Sequence, residues 1–256
     1  MDFLHREVAG RQVFRLGLAA NFGIPEADIE RAIERGVNYL YLTWRGKLAR
    51  PLRAALQRRR DQTVVATGTM LGWTGGSVRR AAEKALRRLG VEQLDVFLVH
   101  WVGVIGALTT ATERELVHLR ESGKVRALGV SIHDRARAGR LAEDSPLDLL
   151  MIRYNMAHPG AERDIFPHLA RRHPSVVAYT ATRWRKLLAR PAGWTGPVPT
   201  AGDCYRWCLS SPHVDVVLSG PADGKQLDDN LAALARGPVT AEEDAWMRDL
   251  GRVVHG

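Results

Sequence analysis

The sequence predicts an α/β protein of one domain, a (β/α)₈ TIM barrel spanning residues 1–256. Short apolar runs alternate with helical patterns, and this alternation is typical of parallel strands joined by crossover helices. A length of 256 residues with 45% hydrophobic composition suits a single large core. The competing open doubly wound sheet would need a glycine-rich phosphate turn after an early strand, and Gly17-Leu-Ala-Ala is not one.

Each predicted strand is an apolar run too short for an ordinary helix. The strands are expected at 13–19, 39–42, 63–67, 94–101, 125–131, 147–154, 175–181 and 214–219, with a short hairpin over 6–12. The fourth run ends abruptly in His100. Because TIM barrels place their chemistry at the C-terminal ends of strands, His100 is the first candidate for a functional site.

The helices between the strands carry expected start and stop residues. Pro25 begins the first helix and Gly36 ends it. Thr110-Ala-Thr-Glu113 and Thr240-Ala-Glu-Glu243 have the spacing of capping boxes. The helices are expected over 25–36, 47–60, 77–89, 110–123, 135–142, 162–172, 201–209, 225–235 and 240–253.

The charge balance does not indicate a nucleic-acid partner. The net charge of +9 comes from 37 Lys and Arg against 28 Asp and Glu, and much of it lies at 50–60 and 79–88. Such an excess can attract phosphates or nucleic acid. These stretches have the pattern of amphipathic helices, however, so a solvated helix face is the favoured interpretation.

Three further patterns indicate a cytoplasmic protein without a resident metal. Cys204 and Cys208 lie four residues apart on one predicted helix and are expected to be reduced and packed. The histidines and cysteines show no metal-ligand spacing. No signal-peptide core begins the sequence, and no apolar run approaches the ~20 residues of a membrane span.

Several segments, taken in order, resemble the aldo-keto reductase superfamily over nearly the whole chain. They are Gly36-Val-Asn-Tyr39, Leu94-Asp-Val-Phe-Leu-Val-His100, Gly123-Lys-Val-Arg-Ala-Leu-Gly-Val-Ser131, Tyr154-Asn155, Val177-Ala-Tyr179, Leu218-Ser-Gly220 and Gln226-Leu-Asp-Asp-Asn230. The resemblance implies a barrel that holds NADP(H) across its C-terminal mouth and reduces a small carbonyl compound. It also implies a catalytic tetrad of Asp, Tyr, Lys and His, in which the tyrosine supplies a proton to the nascent alkoxide.

Three of the four tetrad residue types are absent from their expected places. His100 matches the histidine, whereas Tyr41 stands at the aspartate position and Gly68 at the lysine position. The tyrosine position falls near Arg45, Gly46 or Lys47. Tyr41 is therefore a candidate proton donor that faces His100, with Lys47 or Arg45 as the cation that would lower its pKa. The alternative is that Tyr41 is only an apolar wedge.

The nicotinamide end of the implied cofactor site is partly kept. Ser131 matches the serine that contacts the carboxamide, and Tyr179 matches the aromatic residue that stacks on the ring. Ile132 and Met151 replace the asparagine and glutamine that accompany the serine in the family.

On the adenine side, the resemblance implies a second group of cofactor-binding candidates. Gln226 stands where an arginine often holds the 2′-phosphate, and Lys225 beside it is near a helix start that would favour an anion. The basic loop 180–186 could also meet a phosphate. The full group of candidates is Ser219, Gly220, Lys225, Gln226, Asp229 and Asn230.

Other residues that follow the strands are candidates to line the mouth. Each has a structural alternative, such as helix capping for Asp134 or core packing for the tryptophans. They are His133, Asp134, Asn155, His158, Trp44, Trp101 and Trp184.

Three functions remain open. The first is NADP(H)-dependent reduction of a small carbonyl compound by a non-standard active site. The second is a barrel that has lost reduction and serves as a nucleotide-sensing or partner-binding protein. The third is acid–base chemistry without hydride transfer. A fold can outlive its chemistry, so the barrel alone does not decide among them.

Overall fold

The computed structural model describes residues 2–19, 23–42 and 49–255, with the backbone alone for 49–51. Among these residues the strands are β1 (His5–Val8), β2 (Arg11–Phe14), β3 (Leu16–Ala19), β4 (Tyr39–Tyr41), β5 (Val64–Thr69), β6 (Leu94–Val102), β7 (Val125–Ile132), β8 (Leu149–Arg153), β9 (Ser175–Tyr179) and β10 (Val216–Ser219). Strands β3 to β10 are parallel and close a barrel in which β10 pairs with both β9 and β3. The predicted TIM barrel is confirmed.

The helices lie outside the barrel, in alternation with its strands. In the described part they are α1 (Glu26–Glu34), α2 (Ala49–Arg59), α3 (Gly75–Leu89), α4 (Thr110–Glu121), α5 (Arg135–Glu143), α6 (Ala161–Asp164), α7 (Ala201–Ser210), α8 (Gly224–Leu234) and α9 (Ala241–His255). Short 3₁₀ turns cover Arg60–Gln62, Phe166–Leu169 and Lys186–Leu188.

Side chains along each barrel strand alternate between the barrel interior and the helix layer. On β6, Val96 and Leu98 belong to the interior cluster, while Phe97 and Val99 pack in the larger cluster beneath the helices. The interior series continues to His100, which is 4% exposed. This alternation brings the histidine to the C-terminal mouth.

A buried guanidinium joins the two ends of the barrel sequence. Arg15, 1% exposed, lies directly before β3. Its side chain donates to carbonyl oxygens around the start of β10 and at the N-terminus: Phe3, Leu209, Val214 and Asp215. The Arg15 carbonyl also accepts from the Val217 amide at 2.8 Å. The first and last barrel strands are therefore tied together by one side chain.

The predicted boundary between the N-terminal hairpin and the first barrel strand was wrong. Residues 13–19 do not form one strand, because Val13 and Phe14 belong to β2, which pairs antiparallel with β1. The turn between β1 and β2 uses Ala9 and Gly10, both with positive φ. Val8 and Val13 pack in the interior cluster, so the hairpin covers the base of the barrel.

Two helix predictions also need correction. Thr109, not Thr110, caps α4, since its side chain accepts from the Thr112 amide at 3.1 Å. The single helix expected over 162–172 is a short α6 followed by a 3₁₀ turn, because Pro167 has no amide hydrogen to continue an α-helix.

Other end signals are confirmed. Thr240 and Glu243 form the predicted reciprocal cap: the Glu243 amide donates to Thr240 Oγ1 at 3.1 Å, and the Thr240 amide donates to Glu243 Oε2 at 2.8 Å.

Cys204 and Cys208 are buried in α7 and are not joined in a disulfide. Among the described residues, no helix combines the length and apolarity that a membrane crossing requires, and no group of three or more His, Cys, Asp or Glu side chains is placed to hold a metal.

Arg15→Met is expected to lower the free energy of unfolding by about 3 kcal/mol or more, because it removes four hydrogen bonds from a charged donor, two of them buried. Urea denaturation of this variant and of Arg252→Met measures the effect. Arg252 is 72% exposed, so its replacement should change stability by no more than about 0.5 kcal/mol. Equal stability of the two variants would contradict the role of Arg15.

Candidate functional site

Two buried side chains meet at the C-terminal mouth of the barrel. Tyr41 ends β4 and is 7% exposed, and His100 lies near the end of β6. The Tyr41 hydroxyl is 3.0 Å from Nε2 of His100, and the rings meet edge to face. Directly after His100 the register of β6 shifts and Trp101 adopts φ of 52°. Such irregularities often aim a side chain at a functional site. The contact between Tyr41 and His100 is confirmed, and their catalytic role stays a prediction.

Burial keeps both members of this pair uncharged near neutral pH. It lowers the pKa of the His100 imidazole to about 4. It also raises the pKa of the Tyr41 phenol above its ordinary value, with a smaller contribution from Tyr179. The prediction that the pKa of Tyr41 is lowered is therefore wrong, because the described residues around Tyr41 raise it. The two cations suggested for that effect, Arg45 and Lys47, lie outside the described residues.

Gly68 lies against this pair at a place where no side chain fits. A Cβ atom on Gly68 would stand 2.0 Å from the carbonyl oxygen of Leu98 and 2.9 Å from Cε1 of His100. Gly68 and Leu98 are register partners on β5 and β6, so the contact is set by the barrel backbone. The chain cannot hold a lysine here without moving a strand.

A cavity of about 330 Å³ opens beside Tyr41. Its described lining includes Met151, Tyr179, Trp184, Tyr205 and Gly220. Tyr205 comes from α7 and was not singled out in the sequence. Burial raises its pKa to about 12, so its hydroxyl also stays protonated at neutral pH.

Of the nicotinamide-side candidates, Tyr179 lines this cavity, and Ser131 on β7 is the register partner of the lining residue Met151. Ser131 is 2% exposed, and its Oγ has no hydrogen-bond partner among the described residues. Burial raises the pKa of Tyr179 to about 12. The Ser131 hydroxyl is near enough to oppose this rise, but it does not meet the geometry of a hydrogen bond. The Tyr179 hydroxyl is 3.1 Å from Nε2 of His133. An uncommitted polar atom and an aromatic ring therefore lie at the same edge of the mouth.

The adenine-side candidates divide into three places. Gly220 lines the mouth cavity. Ser219 and Asn230 are buried and bonded to each other, with Asn230 Nδ2 donating to Ser219 Oγ at 3.2 Å.

The remaining three adenine-side candidates lie at the start of α8, where the side chains are exposed. Lys225 pairs with Asp229 at 2.6 Å. The Gln226 amide donates to Asp223, which caps the helix. Lys225, Gln226 and Asp229 thus contact residues of α8 or of the two positions directly before it.

The structure distinguishes those candidate mouth residues that have a structural role from those that line the cavity. Asp134 caps α5 by accepting from the Arg137 amide at 2.9 Å. Asn155 is fully buried and donates to the Thr180 carbonyl at 2.8 Å, which ties two mouth loops together. Trp184 is 70% exposed and lines the cavity. Trp101 is 43% exposed and is not among the described lining residues, while Trp44 lies outside the described part.

The basic loop after β9 is conformationally unusual. Thr180, Arg183, Trp184 and Arg185 all have φ between 48° and 69°. Non-glycine residues rarely adopt this region, and each such residue adds strain of about 1–3 kcal/mol that proteins keep mainly at functional sites. Thr180 and Arg185 line the mouth cavity, so the strain is located at the candidate site.

Comparison with known proteins agrees with this architecture. The family model described as "Aldo/keto reductase family" matches residues 25–184, which is more than half of the chain. A structure of an aldo/keto reductase from Klebsiella pneumoniae in complex with NADP and acetate is similar with a TM-score of 0.82. It is 22% identical, and the match covers 98% of this chain and 96% of that one. The holo form of an aldo-keto reductase from Bacillus halodurans gives a TM-score of 0.81 at 22% identity, covering 96% and 95%.

Among curated proteins, the NADH-specific methylglyoxal reductase of Escherichia coli (strain K12) is 24% identical over 199 residues, covering 62% of this chain and 59% of that protein. Two further relatives are matched over 36% and 39% of their lengths. The chain thus matches less than two thirds of the length of these curated relatives.

Gly68→Ala is expected to lower the free energy of unfolding by about 1–3 kcal/mol, because the new methyl group must displace the Leu98 carbonyl. Gly76→Ala in α3 is the matched control. A Cβ there would meet only the flexible end of Arg80 at 3.4 Å, so this change should be neutral or slightly stabilising. Urea titration compares the two. A Gly68→Ala protein as stable as the control would show that the backbone there can yield.

Proposed function

The chain belongs to the aldo-keto reductase family, and on that premise we propose that it is an NADP(H)-dependent oxidoreductase that reduces a small carbonyl compound at the barrel mouth. The observation that carries the proposal is the hydrogen-bonded pair of Tyr41 and His100, buried beside a cavity of about 330 Å³. In this proposal the pair replaces a tetrad whose aspartate and lysine positions hold Tyr41 and Gly68. The substrate is a small molecule, and a cytoplasmic location remains the expectation from the sequence.

The residues at the cavity fit a nicotinamide cofactor at one end. The unpartnered Ser131 Oγ is suited to a carboxamide, and Tyr179 offers a ring face beside it. When bound, NADPH supplies a hydride to the carbonyl carbon. The E. coli relative is named NADH-specific, whereas the K. pneumoniae neighbour was solved with NADP. The choice of NADP(H) over NAD(H) is therefore part of the proposal, with Lys225 as the cation offered to the 2′-phosphate.

Tyr41 can supply the proton that reduction requires. As the carbonyl oxygen becomes an alkoxide, the Tyr41 O–H bond breaks and the proton passes to that oxygen. The phenolate left behind accepts a hydrogen bond from Nε2–H of His100, in the tautomer that carries its proton there. No cation among the described residues contacts Tyr41 to stabilise the phenolate.

A second candidate is nucleotide binding without reduction. It is favoured by the close approach at Gly68, which denies the site a lysine. The third candidate, acid–base chemistry without hydride transfer, is less well supported. A histidine with a pKa of about 4 is a weak base at neutral pH.

Tyr41→Phe should lower kcat/KM for reduction about 100-fold or more, since it removes the proton donor and keeps the ring. Tyr39→Phe is the control, because Tyr39 lies on the same strand, deeper in the barrel interior. The assay follows NADPH oxidation with a panel of small carbonyl compounds that includes methylglyoxal. Equal rates in wild type and Tyr41→Phe would remove Tyr41 from the mechanism. Saturable NADPH binding, followed by fluorescence, with no turnover on the panel would favour the second candidate.

The rate of reduction should not fall between pH 6 and pH 9 through ionisation of this pair. A raised pKa keeps Tyr41 protonated, and hence able to donate, until the pH exceeds that pKa. The lowered pKa of His100 keeps it neutral down to about pH 4. A pH profile of kcat/KM measures this. A loss of activity centred near pH 7 that disappears in Tyr41→Phe would contradict the raised pKa.

A further inference from the structure

A second cavity, of about 520 Å³, lies at the rim of the barrel between α9 and the loop that follows β8. Its described lining contains five arginines and two histidines: Arg135, Arg153, Arg163, Arg248, Arg252, His158 and His255. None of the described lining residues is acidic. We call this cavity the rim pocket. The proposed reduction does not use it.

Carboxylates around the rim pocket neutralise most of its arginines. The ion pairs are Arg135 and Arg163 with Asp164, Arg248 with Glu162 and Asp244, and Arg252 with Asp249. Arg153, in contrast, has no hydrogen bond or ion pair with any described residue. One cation in the lining is therefore left without a counter-charge.

Arg153 occupies a position that faces both the mouth and the rim pocket. It is the last residue of β8, is partly buried, and pairs in register with Tyr179. Burial is the main cause that lowers the pKa of His133 on the mouth side and of His158 on the rim side, and the charge of Arg153 is the next cause for both. A guanidinium carries five donors and stays charged in proteins. The Arg153 nitrogens are not among the buried side-chain atoms that lack a partner, so they are open to the pocket, and an anion from outside the chain would supply the missing counter-charge.

The surrounding backbone holds the rim pocket in shape. A Cβ on Gly160 would stand 2.7 Å from the guanidinium of Arg135, and one on Gly251 would stand 2.1 Å from the carbonyl oxygen of Met156. Only the Gly251 contact is with backbone, so this glycine allows an approach that any other residue would block, whereas the guanidinium of Arg135 is the end of a flexible side chain that can shift. Gly251 lets α9 close onto the loop after β8, so this wall of the rim pocket is fixed by packing.

His158 reports on the charge in the rim pocket. Asn155 fixes its tautomer, since Asn155 Oδ1 accepts from the Ala157 amide and lies 3.1 Å from Nδ1 of His158, which therefore carries the proton. Its ring also meets that of His255 edge to face.

The pKa of His158 is lowered to about 4, first by burial and then by four neighbours. In order of effect these are Arg153, Arg183, His255 and Arg135. An anion bound among these cations would oppose their effect and raise the pKa of His158.

We propose that the rim pocket binds a small oxyanion, the carboxylate or phosphate group of a metabolite, with Arg153 as its main ligand. The forked guanidinium suits two oxygens of one such group. A singly charged group balances the one unpaired cation of the lining. The site is distinct from the mouth cavity, and its test uses neither cofactor nor carbonyl substrate.

Calorimetric titration of the full chain with inorganic phosphate, and separately with acetate, tests the site. Wild type should bind at least one of the two saturably, and the stronger binder identifies the favoured oxyanion. Arg153→Gln should weaken that binding about tenfold or more. Arg163→Gln is the control, because this arginine lines the same pocket but is 79% exposed and paired. Its affinity should stay within about twofold of wild type. No saturable binding of either anion, or equal weakening in both variants, would overturn the proposal.

A second measurement separates a specific site from a loss of folding. NMR titration of His158 should show its pKa rising when phosphate or acetate, whichever binds, is saturating, and this response should vanish in Arg153→Gln. Because Arg153 has no partner to lose, the variant should melt no lower than wild type by circular dichroism. If the pKa of His158 does not change when the anion binds, the anion binds elsewhere and the assignment is wrong.

Discussion

The barrel closes where its first strand meets its last, and one buried guanidinium holds that seam. Arg15 donates to the Leu209, Val214 and Asp215 carbonyls around the start of β10 and to Phe3 in the N-terminal segment. The hydrogen bonds to Leu209 and Val214 are buried, where loss of a donor is costly. Closure brings all eight barrel strands of the described chain to one mouth. The contact between Tyr41 and His100 depends on this convergence, because the two residues are 59 positions apart in sequence.

At the mouth, burial decides the chemistry. Tyr41 and His100 are hydrogen-bonded, and their burial favours the neutral form of each. In the tetrad that the family resemblance implies, a lysine would offset this effect on the proton donor. Here the Leu98 carbonyl occupies the space beside Gly68 that a side chain would need. The substitution at that position is thus part of the backbone packing of β5 and β6, and the proposed reductase must work with an uncharged pair.

The rim pocket has the opposite character. Its lining is cationic, and carboxylates balance all of its arginines except Arg153. At the mouth, burial keeps the pair of Tyr41 and His100 neutral, whereas in the described lining of the rim pocket Arg153 has no counter-charge. Arg153 influences His133 and His158 on its two sides, so an anion at the rim would alter the electrostatics of the mouth edge.

The sequence alone determined the barrel, since strand-length apolar runs in alternation with helices leave few other folds. It also placed His100 at the mouth, because a polar residue that ends an apolar strand in a barrel must lie there. The same signal marks Arg153 at the end of β8, although it was not singled out. Tertiary structure alone decided what these residues contact. The bond from Tyr41 to His100, the obstruction at Gly68 and the unpaired state of Arg153 each depend on atoms from strands or loops distant in sequence. The alternation of residues along a strand indicates which face of the sheet a side chain takes. It does not indicate which groups from other strands and loops contact that side chain once the barrel has closed.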